Sequence, residues 1–283
     1  MENVKTVNYN GKNIFVKASL ELNIDDALSF KPTQNWLENI TKDNNLHLDE
    51  INFREIFYFG SKSGFITWEA KVRDHNLSIE EYTLKYGSPQ GYYLPGYVFC
   101  RGDAVSILPI LSCQEDDNIY TAVVQQARVP IAQQNKIEIA AGILSDTTGT
   151  VAGAALDEIK QELDIDDLGP HNLIDLGALA WGDTNNKWTT GCGAVDEHII
   201  SFAFHKNITL KWLKDKNGKQ TGENHAGERI KIKIIKLHNL WLNSQDSKAL
   251  SSYCLYQNLI KAGIIDEKLN KLNRNNICSC NIN

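Results

Sequence analysis

The sequence lacks the features that mark secreted, membrane-spanning and nucleic-acid-binding proteins. Its N-terminus, MENVKTVNYN, contains no apolar segment of the kind found in signal peptides, and no window approaches 18 consecutive apolar residues. Positive charge is in deficit, since 29 Lys and Arg stand against 35 Asp and Glu, which gives a net charge of −6. We therefore expect a cytoplasmic protein that binds neither nucleic acid nor an anionic membrane.

Cysteine is sparse and irregularly placed. The six cysteines follow no paired spacing and stand at Cys100, Cys113, Cys192, Cys254, Cys278 and Cys280. Without a secretion signal, reduced thiols are the expected state. The last two cysteines lie in a polar tail over 266–283, which we expect to fray rather than to bind a metal.

A chain of 283 residues with 42% apolar residues is long enough for two domains with proper cores. Residues 1–99 have the pattern of a smaller, β-rich accessory domain. A short helix is predicted over Pro32–Ile40, where proline stands near the start. The runs Asn52–Phe59 and Phe65–Val72 are aromatic and β-branched and flank GSKSG, which predicts a hairpin.

Residues 100–265 have the pattern of a larger α/β domain. Strands are predicted from β-branched runs at Val105–Leu111, Tyr120–Gln125, Ile174–Leu179, Ile199–Phe204 and Ile230–Ile235. A closing helix is predicted over Ser247–Ala262, with Gly263 ending it. These elements predict a mixed sheet with a helix on each side.

The most informative stretch runs over 136–168. A short alternating strand leads to Ala141-Gly142, a polar turn follows, and a helix with apolar spacings of three and four begins at Val151. Its opposite stripe carries Glu158 and Glu162, whose repulsion costs an isolated helix roughly 0.2–0.5 kcal/mol. A hard divalent cation would turn that cost into a binding site. The alternative is a solvated helix face.

This order of parts resembles the Nudix box, G-x5-E-x7-R-E-U-x-E-E-x-G-U, in which U is a bulky aliphatic residue. The matching positions are Gly142, Glu158, Ile159, Glu162 and Ile165. Three positions depart from the pattern: Asp157 replaces the arginine, Gln161 replaces the first glutamate of the pair, and Asp164 replaces the second glycine. The loop before the helix is one residue longer than usual.

The resemblance extends over about residues 30–265. The segments KPTQNWLENI, LPGYVFCRGDAV, QQARVP, IEIAAG, GCGAVDEH, TGENHAGERIKI and ALSSYCLYQNLIKAGII follow in the order found in Nudix ADP-sugar diphosphatases of the plant type. The fold that this implies is the Nudix α/β/α sandwich with a mixed sheet, preceded by the β-rich N-terminal domain.

The resemblance also implies a reaction and its residues. The expected reaction is Mg²⁺-dependent hydrolysis of the diphosphate of a nucleotide-sugar to a nucleoside monophosphate and a sugar phosphate, with Mn²⁺ as a possible substitute. By motif position Glu158 and Glu162 are expected to bind the metal, with the carbonyl of Ala141 and the side chain of Gln161. Glu228 matches the glutamate that orients or deprotonates the attacking water.

Further residues outside the box are expected to bind substrate. Arg128 matches the arginine of a Q-x-R-x-P turn near phosphate, and Glu197 matches a substrate-positioning glutamate. Trp188 and Trp181 flank the polar loop GDTNNK, where a base or sugar would stack. The structural alternatives are a surface arginine at a strand end and tryptophans packed in the core.

Two interpretations of the chemistry stay open. Retention of Glu158, Glu162 and Glu228 favours an active ADP-sugar diphosphatase. Loss of the arginine that braces the box carboxylates, together with Gln161, favours a catalytically weak or inactive Nudix-fold protein that binds a nucleotide-sugar or a protein partner.

The resemblance further implies a homodimer in which the N-terminal domain of one chain helps to build the substrate site of the other. The aromatic-rich hairpin Asn52–Val72 is the expected source of that contact, because interfaces favour aromatic side chains.

Light scattering should give twice the chain mass of 31.8 kDa. A monomer at micromolar concentration would contradict the expectation.

Overall fold

The computed structural model describes residues 2–42, 46–59, 63–74, 80, 97–144, 150–222 and 229–266. The chain separates into two compact units, each built from two segments: Met1–Asp103 with Thr189–His198, and Ala104–Trp188 with Ile199–Asn283. The polar tail with its two cysteines lies outside the described residues beyond position 266. Among the helices that the structure describes, none has the length and apolar character needed to cross a bilayer.

Within the described residues, the first unit contains a five-stranded sheet and two helices over 24–42. Its strands are β1 Glu2–Tyr9, β2 Lys12–Ser19, β3 Leu46–Phe59, β4 Ser63–Asp74 and β5 Tyr97–Cys100, in that spatial order. Only the β2–β3 pair is parallel. The helices are α1 Ile24–Ser29 and α2 Lys31–Lys42. The predicted hairpin and the predicted helix near Pro32 are both confirmed.

Aromatic side chains fill the core of this unit. Trp68 on β4 is 1% exposed and packs edge-on against Trp36 of α2 at 5.2 Å and against Phe53 of β3 at 5.7 Å between ring centroids. Alternate residues of β4 lie on the same face of the sheet, which explains why the sequence around Trp68 has the pattern of a strand. The aromatic residues Phe53 and Trp68 therefore serve sheet packing.

The segment Thr189–His198 returns to the first unit, whereas the sequence pattern predicted continuous segments 1–99 and 100–265. The carboxylate of Asp196 accepts the backbone N–H groups of Arg101 at 2.8 Å and Gly102 at 3.2 Å. It also accepts the thiol of Cys100 at 2.9 Å, and Phe99 N–H donates to the carbonyl of Ala194 at 2.7 Å. These bonds join positions far apart in sequence, which no local pattern reveals.

The second unit contains a nine-stranded mixed sheet within the described residues. Its strands are β6 Ala104–Cys113, β7 Ile119–Arg128, β8 Gln133–Glu138, β9 Ala140–Ile143, β10 Ile174–Asp175, β11 Lys187–Thr189, β12 His198–Ile208, β13 Gln220–Thr221 and β14 Ile230–Lys236. The spatial order is β10-β12-β6-β7-β14-β13, with β8 paired to β7, β9 to β6 and β11 to β12. The β6–β12 pair is parallel.

Five helices accompany this sheet in the described part of the chain: α3 Val151–Leu163, α4 Leu176–Trp181, α5 Leu210–Lys216, α6 Leu240–Asn243 and α7 Ser247–Lys261. Strand β6 is almost wholly buried because α3 packs in the core on one face of the sheet and α7 in the core on the other. The predicted α/β/α arrangement with a mixed sheet is thereby confirmed.

Pro109 marks the place where the sheet opens beside β6. Pairing of β6 to β9 ends at Ile107, and pairing to β7 begins at Leu111. Proline has no N–H to give to a ladder and is tolerated where pairing is interrupted. The interruption lets β9 diverge from β7 and carry Ala141-Gly142 beneath α3.

The predicted strand Ile174–Leu179 is wrong beyond its first two residues. Strand β10 covers only Ile174–Asp175, and helix α4 begins at Leu176. The carboxylate of Asp175 accepts the N–H of Ala178 at 2.8 Å, an N-cap that starts the helix. A methyl group on Gly177 would lie 1.9 Å from the carbonyl oxygen of Asn186, so the chain passes too close for any larger residue.

Helix α3 ends at Asp164, the position at which the Nudix box usually has glycine. Asp164 adopts the left-handed conformation, with φ 55° and ψ 44°, and its N–H bonds the carbonyl of Lys160. Glycine suits this conformation, and aspartate is among the few other residues that tolerate it. Its carboxylate pairs with Lys216 and Lys219, whose bonds lower the pKa of Asp164. The substitution keeps the backbone of the box.

Two variants test that helix end. Asp164→Gly should leave the free energy of unfolding almost unchanged, because relief of left-handed strain offsets the loss of exposed ion pairs. Asp164→Ala should be about 1 kcal/mol less stable than Asp164→Gly, because alanine neither relieves the left-handed backbone strain nor forms the ion pairs. Urea denaturation measures both. Equal stability of the two variants would show that position 164 is not left-handed in solution.

Candidate active site

Helix α3 carries the two central carboxylates of the site. The hydroxyl of Thr150 accepts the N–H of Gly153 at 3.0 Å and caps the helix start. Ala155 and Ile159 are fully buried in the core, so the helix has a fixed rotation on the sheet. That rotation turns Glu158 and Glu162 toward β9.

Glu158 lies directly over Gly142. A methyl group on Gly142 would lie 1.7 Å from Oε1 of Glu158 and 2.1 Å from its carboxyl carbon. Real contacts of that kind are about 3.4 Å or longer. Only glycine at position 142 lets the carboxylate occupy this place, which gives the first residue of the box a physical reason.

Glu162 is bound to the neighbouring residue of the same strand. It is 6% exposed, and its Oε2 accepts the N–H of Ala141 at 3.1 Å. A buried carboxylate needs such a partner, because loss of hydration is otherwise uncompensated. The two glutamates therefore converge on Ala141-Gly142; that they bind a metal there stays a prediction.

The last turn of α3 is tied to the end of β13. The hydroxyl of Thr221 donates to the carbonyl of Glu162 at 2.7 Å, and Gly222 N–H donates to the carbonyl of Gln161 at 3.2 Å. Thr221 and Gly222 immediately precede the segment 223–228, which contains Glu228 and lies outside the described residues.

Arg128 lies within electrostatic reach of Glu162 on α3. Its Nε and Nη2 donate to the two oxygens of Glu138 at 2.9 and 2.8 Å, a bidentate pair. The bond to Glu138 is the main cause of a raised pKa at Arg128, and the charge of Glu162 contributes. Burial by itself raises the pKa of Glu138, but Arg128 and Lys248 outweigh it, so that this carboxyl has a lowered pKa and stays ionised.

The donor set fits a hard divalent cation. Carboxylate and backbone carbonyl oxygens are the ligands that Mg²⁺ takes in proteins, and Glu158, Glu162 and Ala141 bring such groups together. Within the parts of the chain that the structure describes, no group of three or more His, Cys, Asp or Glu is arranged to hold a metal ion. Glu228, which the resemblance implies as the residue that orients or deprotonates the water, lies outside those parts.

Comparison with known proteins finds a similar plant protein. No protein-family model matches the chain. Nudix hydrolase 14, chloroplastic, from Arabidopsis thaliana is 28% identical over 254 residues, which cover 88% of this chain and 77% of that protein. Over most of its length the chain is therefore similar to a Nudix hydrolase.

A solved structure, described as a crystal structure of an ADP compounds hydrolase, overlaps 77% of this chain and 96% of its own chain, with 13% identity and a TM-score of 0.46. Overlap at that level supports no conclusion about this chain. The name of the relative from Arabidopsis assigns that protein to the chloroplast. The cytoplasmic location expected for this chain stays a prediction.

Two departures from the Nudix box lie on the exposed side of α3. Asp157 and Gln161 are both exposed, whereas Glu158 is half-buried and Glu162 is buried. The missing box arginine therefore leaves no hole in the packing. Positive charge near Glu162 comes instead from Arg128 on β7.

The described hydrogen bond of Trp188 lies in the core of the second unit. The indole Nε1 of Trp188 donates at 2.8 Å to Ser201, which also bonds Ser106 and Ser252 in the core. Trp181 is 46% exposed and has the more open ring face. Their roles in substrate binding stay predictions.

Glu197 belongs to the first unit. Its carboxylate pairs with Nε of Arg101 at 3.2 Å and accepts the hydroxyl of Thr190 at 3.0 Å. Both contacts lie within that unit, so the described bonds assign Glu197 a local structural role beside any role toward substrate.

Glu138 and Lys248 are site residues that the sequence pattern did not single out. Glu138 has a 5% exposed side chain, and Lys248 lies 3.5 Å from it. A charged residue inside the apolar run IEIAAG was a usable signal for Glu138, because a carboxylate in a buried strand requires a partner. Lys248 had no comparable signal.

Gly142→Ala tests the approach of helix to strand. The added methyl group should displace the carboxylate of Glu158 and weaken Mn²⁺ binding by about tenfold or more, since a ligand is moved. The fold should survive, because the clash is with the mobile end of a side chain. Calorimetric Mn²⁺ titration measures the change.

The matched control is Gly193→Ala, where a methyl group meets nothing within 4 Å. It should bind Mn²⁺ as the parent does. Parent-like affinity in Gly142→Ala would show that Glu158 does not bind the metal over Gly142.

Proposed function

We propose that this protein is a Nudix hydrolase that cleaves the diphosphate of an ADP-sugar, such as ADP-glucose or ADP-ribose, to AMP and a sugar phosphate in the presence of Mg²⁺. The observation that carries the proposal is the convergence of Glu158 and Glu162 on Ala141-Gly142, with Arg128 nearby. The relative named Nudix hydrolase 14 supports the reaction class, and the plant-type segments of the sequence support the substrate class.

Glu158, Glu162 and the carbonyl of Ala141 would hold the divalent cation, and Gln161 can add a neutral amide oxygen. When bound, Mg²⁺ neutralises the diphosphate and lowers the pKa of a bound water. Arg128 offers the positive charge that a phosphate group requires. Its guanidinium is held in one plane by Glu138, so it loses less freedom when substrate binds.

The chemical step breaks one P–O bond and forms another. The oxygen of a water attacks one phosphorus of the diphosphate, and the oxygen that bridges the two phosphorus atoms leaves with its electron pair. Glu228 is proposed to take the proton from that water, on the strength of its position in HAGERIKI. The 223–228 segment begins after Gly222, whose N–H is bonded to α3.

A second candidate is a protein that binds the nucleotide-sugar with little or no turnover. The observation that favours it is the exposed Asp157 in place of the box arginine, which adds negative charge beside Glu158. Gln161 also brings one charge fewer to the metal than glutamate would. Such a site would bind Mg²⁺ more weakly than an intact box.

A substrate panel separates the candidates. Purified protein with Mg²⁺ or Mn²⁺ is given ADP-glucose, ADP-ribose, UDP-glucose and NADH, and products are separated by chromatography. We expect AMP and sugar phosphate from the ADP-sugars, with kcat/KM reduced about 100-fold or more in Glu158→Gln, because a direct metal ligand is lost. Calorimetry with ADP-ribose runs in parallel.

Turnover of no substrate above the Glu158→Gln background would reject the hydrolase. Binding of ADP-ribose without turnover would then identify the second candidate. Hydrolysis of UDP-glucose in preference to both ADP-sugars would retain the reaction and reject the adenine assignment.

A further inference from the structure

A row of four alternating charges joins β7 to the start of α7 inside the second unit. Arg128 is bound to both oxygens of Glu138 at 2.8 and 2.9 Å. Lys248 Nζ lies 3.5 Å from the same carboxylate and 2.9 Å from Oδ1 of Asp246. The order is cation, anion, cation, anion, so the row carries no net charge.

Only one end of this row reaches the surface. The side chains of Glu138 and Asp246 are 5% and 6% exposed, and that of Lys248 is 19% exposed. Arg128 is 40% exposed. Charges in such a poorly hydrated place interact more strongly than charges in water do. A change of charge at the buried end therefore alters the electrostatic potential at Arg128.

The buried end is fixed by backbone contacts. Asp246 caps α7, because its carboxylate accepts the N–H groups of Lys248 at 3.3 Å and Ala249 at 3.2 Å. Just before it, the hydroxyl of Ser244 donates to the carbonyl of Ile137 at 2.7 Å. Ile137 precedes Glu138, so the start of α7 and the carboxylate are held in one place.

We propose that Lys248 and Asp246 are positioning residues that set, through Glu138, the charge and orientation that Arg128 presents to the substrate diphosphate. The inference rests on the proposed function, in which Arg128 faces phosphate. It assigns to the start of α7 a part in substrate affinity, although α7 packs on the far face of the sheet from α3.

The row makes a prediction of opposite signs. Lys248→Met keeps the aliphatic stem and leaves the row with one excess negative charge, so diphosphate binding should weaken. Asp246→Asn keeps a good helix cap and leaves one excess positive charge, so binding should strengthen. Each change should alter affinity about three- to tenfold, the size expected for one charge at this range in a protein. The double variant should return close to the parent.

The test measures the dissociation constant of ADP with Mg²⁺ by calorimetry, and KM and kcat for ADP-ribose. We expect KM to follow the dissociation constant in both variants while kcat changes less than about twofold, the signature of a binding effect. Lys248→Arg should restore parent-like affinity because it restores the charge. Lys261→Met in the last turn of the same helix is the matched control for net charge, and it should leave affinity unchanged.

Loss of affinity in both Lys248→Met and Asp246→Asn would overturn the proposal, because structural damage alone has that outcome. So would parent-like affinity in both variants, or an effect of Lys261→Met equal to that of Lys248→Met. If either variant does not fold, Lys248→Gln and Asp246→Ser replace them with the same expected signs.

A spectroscopic arm is independent of turnover. The Nε–H resonance of Arg128, assigned by its loss in Arg128→Lys, should shift in Lys248→Met and Asp246→Asn and not in Lys261→Met. If the parent neither hydrolyses nor binds any ADP compound but this resonance shifts, the proposed function fails and the coupling stands. If ADP-ribose is hydrolysed but the resonance is the same in all variants, the coupling fails and the function stands.

Discussion

The close approach of α3 to β9 at Gly142 is the constraint on which the site depends. The helix is held against the sheet by buried residues such as Ile159, and the same rotation brings Glu158 to a place that any side chain at position 142 would occupy. Glu162, one turn later, is buried and requires the N–H of Ala141. Core packing and carboxylate placement are thus one feature, because a shift of the helix would spoil both.

The charged residues that depart from the Nudix box lie at positions where they destabilise the protein little. Asp164 keeps the left-handed backbone of the helix end, and its charge is matched by lysines of α5 and the following turn. Asp157 is exposed to water, where a like-charge neighbour is screened. Positive charge at the carboxylates is supplied by Arg128 from a strand instead of from the helix. The substituted positions therefore disturb the three-dimensional arrangement of the box less than they disturb its sequence pattern.

The sequence patterns correctly predicted the elements that are determined by residues close together in the chain. The helix around Glu158 and the hairpin Asn52–Val72 follow from apolar period and turn chemistry, and both are present. The strand predicted over Ile174–Leu179 failed because the cap from Asp175 outweighs its apolar run. The pair of Glu138 with Lys248 was beyond prediction, since it is formed by elements far apart in sequence that share no motif. Contacts of that kind are fixed by topology, which one sequence does not display.

The return of Thr189–His198 to the first unit has a consequence for the order in which the chain folds. A ribosome delivers residues from the N-terminus, and domains made of one segment fold as they emerge. The first unit obtains the Asp196 bonds to Cys100, Arg101 and Gly102 only after all of 104–188 has been synthesised. The parallel pairing of β6 with β12 waits for the same stretch. Each unit therefore contains contacts that cannot form until residues beyond 188 have been synthesised, and contacts of such long sequence separation are slow to form.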